Sequence, residues 1–333
     1  MPTIYGIQYL RAVAALGVVI FHAAERTGHH FAIGAAGVDV FFVISGFIMW
    51  VISARRPMSP LTFLRDRLQR IVPIYWLATA VMVLGGVAGL FPNLVLTTGH
   101  VLASVLFIPM HSPSNGEIWP VLVQGWTLNY EMFFYAVFAL MLLLPRSRRL
   151  IAMTTAFLLL VAIGLLFDSD NALFITYTRP ILLEFVAGMI VAEFWLRGGV
   201  PGAVFGLALI ATAAAGFAAL AVLGLPFDEL VLGPLAVLLV VGTLALERGG
   251  WFRSGGLAML LGDASYSIYL WHAFAISVVV KVCGLAGVSP FTSALLAVGA
   301  GTTLGVVVFL LLERPLARRL RSRSYSKPAQ RAG

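Results

Sequence analysis

Apolar runs of helical length recur along this chain at 7–24, 35–54, 71–90, 123–144, 150–167, 177–196, 203–223, 228–246, 265–283 and 292–313, each bounded by polar residues or by Gly and Pro. The pattern predicts an all-α fold, a polytopic membrane helix bundle of about ten transmembrane helices. The stretch 101–110 is too short to span comfortably and runs into the break 111–120, so it is expected to be interfacial or re-entrant. No internal repeat stands out. The Ala- and Gly-rich segment 206–224 predicts close helix packing rather than chemistry.

Composition agrees with the pattern. With 60% hydrophobic and 11% charged residues and a mean hydropathy of +0.98, the chain has too little polar surface to coat a soluble globule of 333 residues. The first charge, Arg11, lies inside the first apolar run, so that run is expected to be a retained helix rather than a cleaved signal. A single cysteine, Cys283, excludes an internal disulfide and a cysteine-rich zinc site.

The net charge of +8 is uneven, which explains it without nucleic acid as a partner. Alternate connections carry Arg55, Arg56, Arg65, Arg67 and Arg70, then Arg146, Arg148 and Arg149, then Arg197, then Arg248 and Arg253, and finally the tail from Arg314 to Arg331. The intervening connections hold chiefly Glu25, Glu117, Asp168, Asp170, Asp228 and Glu229, with Arg26 and Arg179 as basic exceptions. The positive-inside rule then makes both termini cytoplasmic. Residues 1–317 read as one membrane domain. Residues 318–333 read as a basic cytoplasmic tail, expected to be disordered and held near anionic lipid.

Ionisable side chains inside apolar runs are the candidates for chemistry. Arg11 and His22 stand eleven residues apart, a spacing that returns to within about 20° of the same helix face and rises about 16 Å, so one face presents both at different membrane depths. The bland alternative is a snorkelling arginine and a histidine capping the far end. Asp39, expected at the depth of His22, is its natural partner, because a carboxylate on one imidazole nitrogen fixes the tautomer and frees the other nitrogen to accept a proton. A purely structural Asp39 at a helix mouth is the alternative.

Arg67 and Arg70, three apart on a segment started by Ser59 and Pro60, can grip phosphates or simply contact lipid headgroups. Glu131 should lie about 12 Å inside its helix, positioning a hydroxyl or pairing with Arg11. Trp126, five residues earlier, fits either a pocket wall or an interfacial aromatic belt. Ser265, Tyr269 and His272 fall on one helix side, lining a cavity or satisfying one another. Glu184 has the same two readings, a structural network or a ligand contact, with Arg179 about one helical turn away as its candidate ion-pair partner. No metal site is expected, since His29, His30, His100 and His111 form no ligand set with a carboxylate.

Taken together, Arg11 with His22, the stretch 37–47, Arg67 with Arg70, Trp126 with Glu131, and the stretch 265–272 resemble the acyltransferase 3 family of integral membrane acyltransferases, and most nearly its exopolysaccharide O-acetyltransferase branch. The resemblance runs from about residue 4 to 313. It implies transfer of an acyl group, usually acetyl, from cytosolic acyl-CoA as co-substrate to a hydroxyl of a sugar-containing acceptor at the outer side of the bacterial cytoplasmic (inner) membrane, with no permanently bound cofactor. It implies that His22 is the essential first-helix histidine, Arg11 its basic companion, and Arg67 and Arg70 the paired cytoplasmic arginines. Polysaccharide-assembly proteins are further expected partners, and no soluble hydrolase-like domain is expected to follow.

The mechanism this suggests has Arg67 and Arg70 holding coenzyme A phosphates, Arg11 steering the donor upward, and His22, oriented by Asp39, deprotonating the acceptor. An acyl-histidine relay is the variant. A proton-coupled transporter or flippase of a polysaccharide precursor would also bury such charges, and a scaffold of an assembly complex is a third reading.

Overall fold

The computed structural model of the protein describes residues 3–225 and 228–325. In chain order the helices are α1 (Tyr5–Arg26), α2 (Gly37–Arg55), α3 (Pro60–Val87), α4 (Thr98–Val105), α5 (Trp126–Met141), α6 (Arg146–Leu166), α7 (Ala172–Tyr177), α8 (Leu182–Leu196), α9 (Ala203–Leu223), α10 (Glu229–Arg248), α11 (Gly256–Leu285), α12 (Pro290–Val308) and α13 (Arg314–Tyr325). Among the described residues there is no strand, and nine spans are long and apolar enough to cross a membrane, α7 with α8 and α12 with α13 each forming one. The protein is an integral membrane helix bundle. The expected helix that is not among the nine, 123–144, is shorter than its apolar run: a single 3-10 turn, Val123–Gly125, leads into the 16-residue α5.

Two boundaries differ from expectation in ways that move functional side chains. The basic segment from Ser59 and the apolar run that follows are one continuous helix of 28 residues, because nothing between Arg70 and Ile71 breaks it and Pro73 is accommodated inside. Ser59 caps it as expected, its Oγ accepting from Thr62 N at 3.2 Å, with Pro60 at the first turn. Arg67 and Arg70 are therefore part of a bundle helix and turn inward instead of lying in the interface. At the other end of the chain, α13 continues from α12 through a π-turn, Phe309–Glu313, and is helical to Tyr325; residues 326–333 of the expected disordered tail lie outside the described residues.

Helices pack where glycine lets backbones meet. Gly46 of α2 lies against the Phe185 carbonyl of α8, and Gly188 of α8 lies against the Val43 carbonyl of α2, a reciprocal contact with no room for a Cβ on either side. Gly262 meets Gln8 across α11 and α1, and Gly206 meets Gly242 across α9 and α10, the latter within the segment expected to pack closely. Gly46→Ala should therefore push α2 and α8 apart and cost about 1–3 kcal/mol, measured as a lower thermal midpoint in detergent with reduced yield of folded protein.

The basic connections converge on one end of the bundle. Glu193 near the end of α8 accepts from Trp50 Nε1 at 2.8 Å, Arg146 Nη2 at 3.0 Å and Arg197 Nε at 2.8 Å, and Arg55 lies 5.1 Å over the Trp195 ring. The start of α1 joins them: the Glu247 carboxylate accepts from the Tyr5 and Gly6 amides at 3.0 and 2.7 Å, satisfying orphan donors that no side chain of α1 itself caps. The opposite end carries the Arg179–Glu229 ion pair and a clasp at His111.

That clasp is pH-sensitive. His111 Nδ1 faces Gly116 O at 2.8 Å and Nε2 faces Asp170 O at 3.0 Å, two acceptors that only the doubly protonated ring can serve. These carbonyls, Gly116 first, with help from the Asp170 and Glu117 carboxylates, raise His111 above the ordinary 6.5. A raised value means the clasp contributes fully below about pH 6.5 and is lost as pH climbs through the raised value. Hydrogen exchange of residues 112–119, corrected for intrinsic rate, should accelerate over that window in the native protein and be fast at every pH in His111→Ala.

Candidate active site

The basic half of the bundle encloses a cavity of about 110 Å³. Its ionisable lining is Arg11 from α1, Arg67 and Arg70 from α3 and Glu131 from α5, with the tyrosines Tyr135, Tyr266 and Tyr269. Arg11 is held by its own helix and by α11: Nη1 donates to Gln8 Oε1 at 3.2 Å and Nη2 to Ser265 Oγ at 2.9 Å. Glu131 accepts from Ser45 Oγ at 3.2 Å and from the Tyr135 hydroxyl. It does not pair with Arg11, and among the described residues none of the three guanidiniums has an ion-pair partner within 4.0 Å. Three cations facing one carboxylate leave this largely apolar chamber with an excess of positive charge.

The far wall of the cavity is Val38, Phe41, Thr127 and Tyr269, where the Tyr269 hydroxyl accepts from Thr127 Oγ1 at 3.1 Å and the Phe41 ring meets Tyr269 edge-on at 6.4 Å. Behind this wall lie the two histidines. His272 is fully buried, its ring centroid 6.2 Å from Tyr269, and it stacks at 5.1 Å on His22, which is half-buried. The His272 Nδ1–H donates to Ile268 O at 3.0 Å, which leaves Nε2 as a lone pair with no partner among the described residues. The expected stripe Ser265, Tyr269, His272 thus exists, with its first two members in the cavity and the third beyond the wall. Neither histidine lines the cavity; Tyr269 and Phe41 form its wall on their side.

Three expected partnerships are different. Asp39 does not meet His22; its carboxyl faces Glu184 of α8, and both are buried. The reason is the connection from α1 to α2, which doubles back as a 3-10 turn, Ala32–Ala36, so that Gly34 lies on Gly17 and Gly37 on Ala14. Helix α2 therefore begins eight residues, about 12 Å, below His22, and Asp39 is deeper still. Arg179 does not pair with Glu184 but with Glu229 of α10, because the chain breaks between α7 and α8 and removes the helical spacing. Trp126 does not line the arginine cavity; it lines a second one at the acidic end with Asn129, Tyr130 and Arg179.

The structure also adds residues that the charge pattern did not single out. Ser45 and Tyr135 hold Glu131, and Thr127 holds Tyr269. Tyr135 sits one turn from Glu131, a spacing visible in the sequence; Ser45 and Thr127 are neutral, and only tertiary contact reveals them.

The acyltransferase domain family matches residues 4–314. The chain belongs to the acyltransferase 3 family. It is 62% identical to the exopolysaccharide production protein ExoZ of Rhizobium meliloti (strain 1021) over 305 residues, 92% of this chain and 96% of that protein. It is 27% identical to the acyltransferase MdmB of Streptomyces mycarofaciens over 83% of this chain and 79% of that one. The O-acetyltransferase OatA of Staphylococcus aureus (strain NCTC 8325 / PS 47) is 26% identical over 80% of this chain, which spans about half (49%) of its length. No solved structure matches the chain.

Proposed function

We propose that the protein moves an acetyl group from cytosolic acetyl-coenzyme A to a hydroxyl of an exopolysaccharide or its lipid-linked precursor at the outer face of the bacterial cytoplasmic membrane. The observation that carries this reading is the cavity of three guanidiniums without an ion-pair partner among the described residues, separated by one tyrosine wall from a stacked histidine pair. Its relatives ExoZ, a protein of exopolysaccharide production, and OatA, an O-acetyltransferase, point the same way.

In this reading the basic end is cytoplasmic. Arg67 and Arg70 take the phosphates of coenzyme A, and Arg11, fixed by Ser265, takes the negative charge that enters deepest. Glu131 lies one turn below Thr127, on the arginine side of the wall, where it offsets the guanidiniums while the cavity is empty and does not touch the reacting hydroxyl. Tyr269 must release Thr127 and turn aside with Phe41 to admit the thin pantetheine arm. His22 then accepts the proton of the acceptor hydroxyl as its oxygen attacks the thioester carbonyl; the C–O bond forms, the C–S bond breaks, and the proton passes from His22 to the departing thiolate. His272 holds the His22 ring by stacking, the role expected for Asp39.

Purified protein should bind acetyl-coenzyme A saturably, and mass spectrometry of surface polysaccharide should show one acetyl unit fewer per modified site in cells lacking the gene. Movement of unmodified saccharide across vesicles holding the protein, with no acetyl product, would replace this reading with transport.

A further inference from the structure

The second cavity, of about 180 Å³, opens at the acidic end and takes no part in the chemistry above. Its walls come from the connection before α5, from α5 itself, from α7 and from the segment joining α7 to α8. Trp126 is half-buried and stands edge-on to Tyr130, centroids 5.9 Å apart and planes at 90°, so its indole is fixed in orientation. Trp119 of the loop, 38% exposed, also lines the cavity. Asn129, also in the lining, is 3% exposed, and its side-chain oxygen has no hydrogen-bond partner among the described residues. A buried amide oxygen left without a donor costs about 1–3 kcal/mol, and a ligand hydroxyl would satisfy it.

The charges argue against an anion. Arg179, the cation of the cavity, is already engaged by Glu229, and Glu117 at the rim adds a carboxylate with no ion pair among the described residues. Two indoles, that of Trp126 held edge-on to Tyr130, a buried amide oxygen without a donor and the Glu117 carboxylate match one ligand chemistry: a ring with an apolar C–H face and several neutral hydroxyl donors. We propose that this cavity is a subsite for a neutral hexopyranose unit of the acceptor chain, next to the unit that is acylated. The inference rests on the acyltransferase reading for the word acceptor, but the saccharide site itself stands on these side chains.

Its position suits that role. Thr127, the residue after Trp126, bonds Tyr269 at 3.1 Å, and Tyr269 leads through His272 at 6.2 Å to His22. The wall that the donor must pass and the helix turn that holds the saccharide are therefore the same turn of α5. The loop bearing Trp119 and Glu117 is the one that His111 pins by its clasp to Asp170.

The test is tryptophan fluorescence of the full-length protein in detergent, titrated with neutral repeat-unit oligosaccharides released from the producing cell's exopolysaccharide and de-O-acetylated by mild alkali. Saturable change without any donor present is expected, with at least about tenfold weaker binding in Trp126→Leu and Asn129→Leu. Trp126→Phe, which keeps an aromatic face, should retain most of the affinity, and acetyl-coenzyme A binding by all three variants should match the native protein, which excludes misfolding as the cause. No saturable change at millimolar saccharide, unaltered affinity in both leucine variants, or displacement by inorganic pyrophosphate would overturn the proposal. Saccharide binding that persists while acetyl-coenzyme A fails to bind would remove the proposed reaction and leave this site standing; the reverse pattern would remove the site alone.

Discussion

His22→Ala should lower acetyl transfer by about 10²–10⁴-fold, the range for loss of a positioned general base, in protein that inserts normally and still binds acetyl-coenzyme A. The separation of the two sites makes this prediction sharp. Tyr269 and Phe41 stand between the arginine cavity and the histidine stack, so removal of the imidazole leaves the donor's contacts untouched. His272→Phe preserves a stacking surface for His22 and should retain more activity than His272→Ala. Asp39→Asn provides the counter-test: because Asp39 faces Glu184 and not His22, the amide variant should leave the pH dependence of transfer unchanged. Full activity in His22→Ala, in reconstituted protein, would end the general-base assignment.

Arg67→Ala and Arg70→Ala should each weaken acetyl-coenzyme A binding by about 10- to 150-fold, the equivalent of about 1.5–3 kcal/mol for a hydrogen bond to a charged group. At saturating donor, kcat should be nearly native, because neither arginine reaches past the Tyr269 wall. Lysine at either position should restore only part of the affinity, since an ammonium cannot grip a phosphate with two parallel bonds. Arg11→Ala is a different change: it also strips the donor from Ser265 Oγ in a fully buried position, so a loss of folded protein should accompany the loss of binding. Calorimetric titration of detergent-solubilised variants separates the two, and unaltered affinity in the Arg67 and Arg70 variants would exclude them from the donor site.

Much of this arrangement is visible in the order of residues. The eleven-residue spacing of Arg11 and His22 sets both on one face of α1, and the structure finds Arg11 in the cavity and His22 beyond its wall. The stripe Ser265, Tyr269, His272, seven residues from end to end in spacing, likewise stays on one helix side, because side-chain direction along one helix follows from period alone. Positions between helices are another matter. Asp39 is expected level with His22 because it stands one turn into a helix entering from the outer side, yet Gly34 and Gly37 draw the start of that helix down against Gly17 and Ala14. Trp126 and Thr127 are neighbours in sequence, but one faces the outer cavity and the other the wall at Tyr269.

By itself the amino-acid order determined that this is a membrane helix bundle, which residues share a helix face, and which arginines and histidine are too costly to bury without purpose. Those are local properties of apolar run length, helical period and side-chain charge. Tertiary structure alone decided which carboxylate meets which cation, that α3 carries Arg67 and Arg70 into the bundle, and that Tyr269 and Phe41 form the cavity wall on the side of the histidines. Depth and partnership depend on where two backbones approach, and in a chain whose helices are almost uniformly apolar, that is set by the fit of glycines against distant carbonyls rather than by any pattern within one helix.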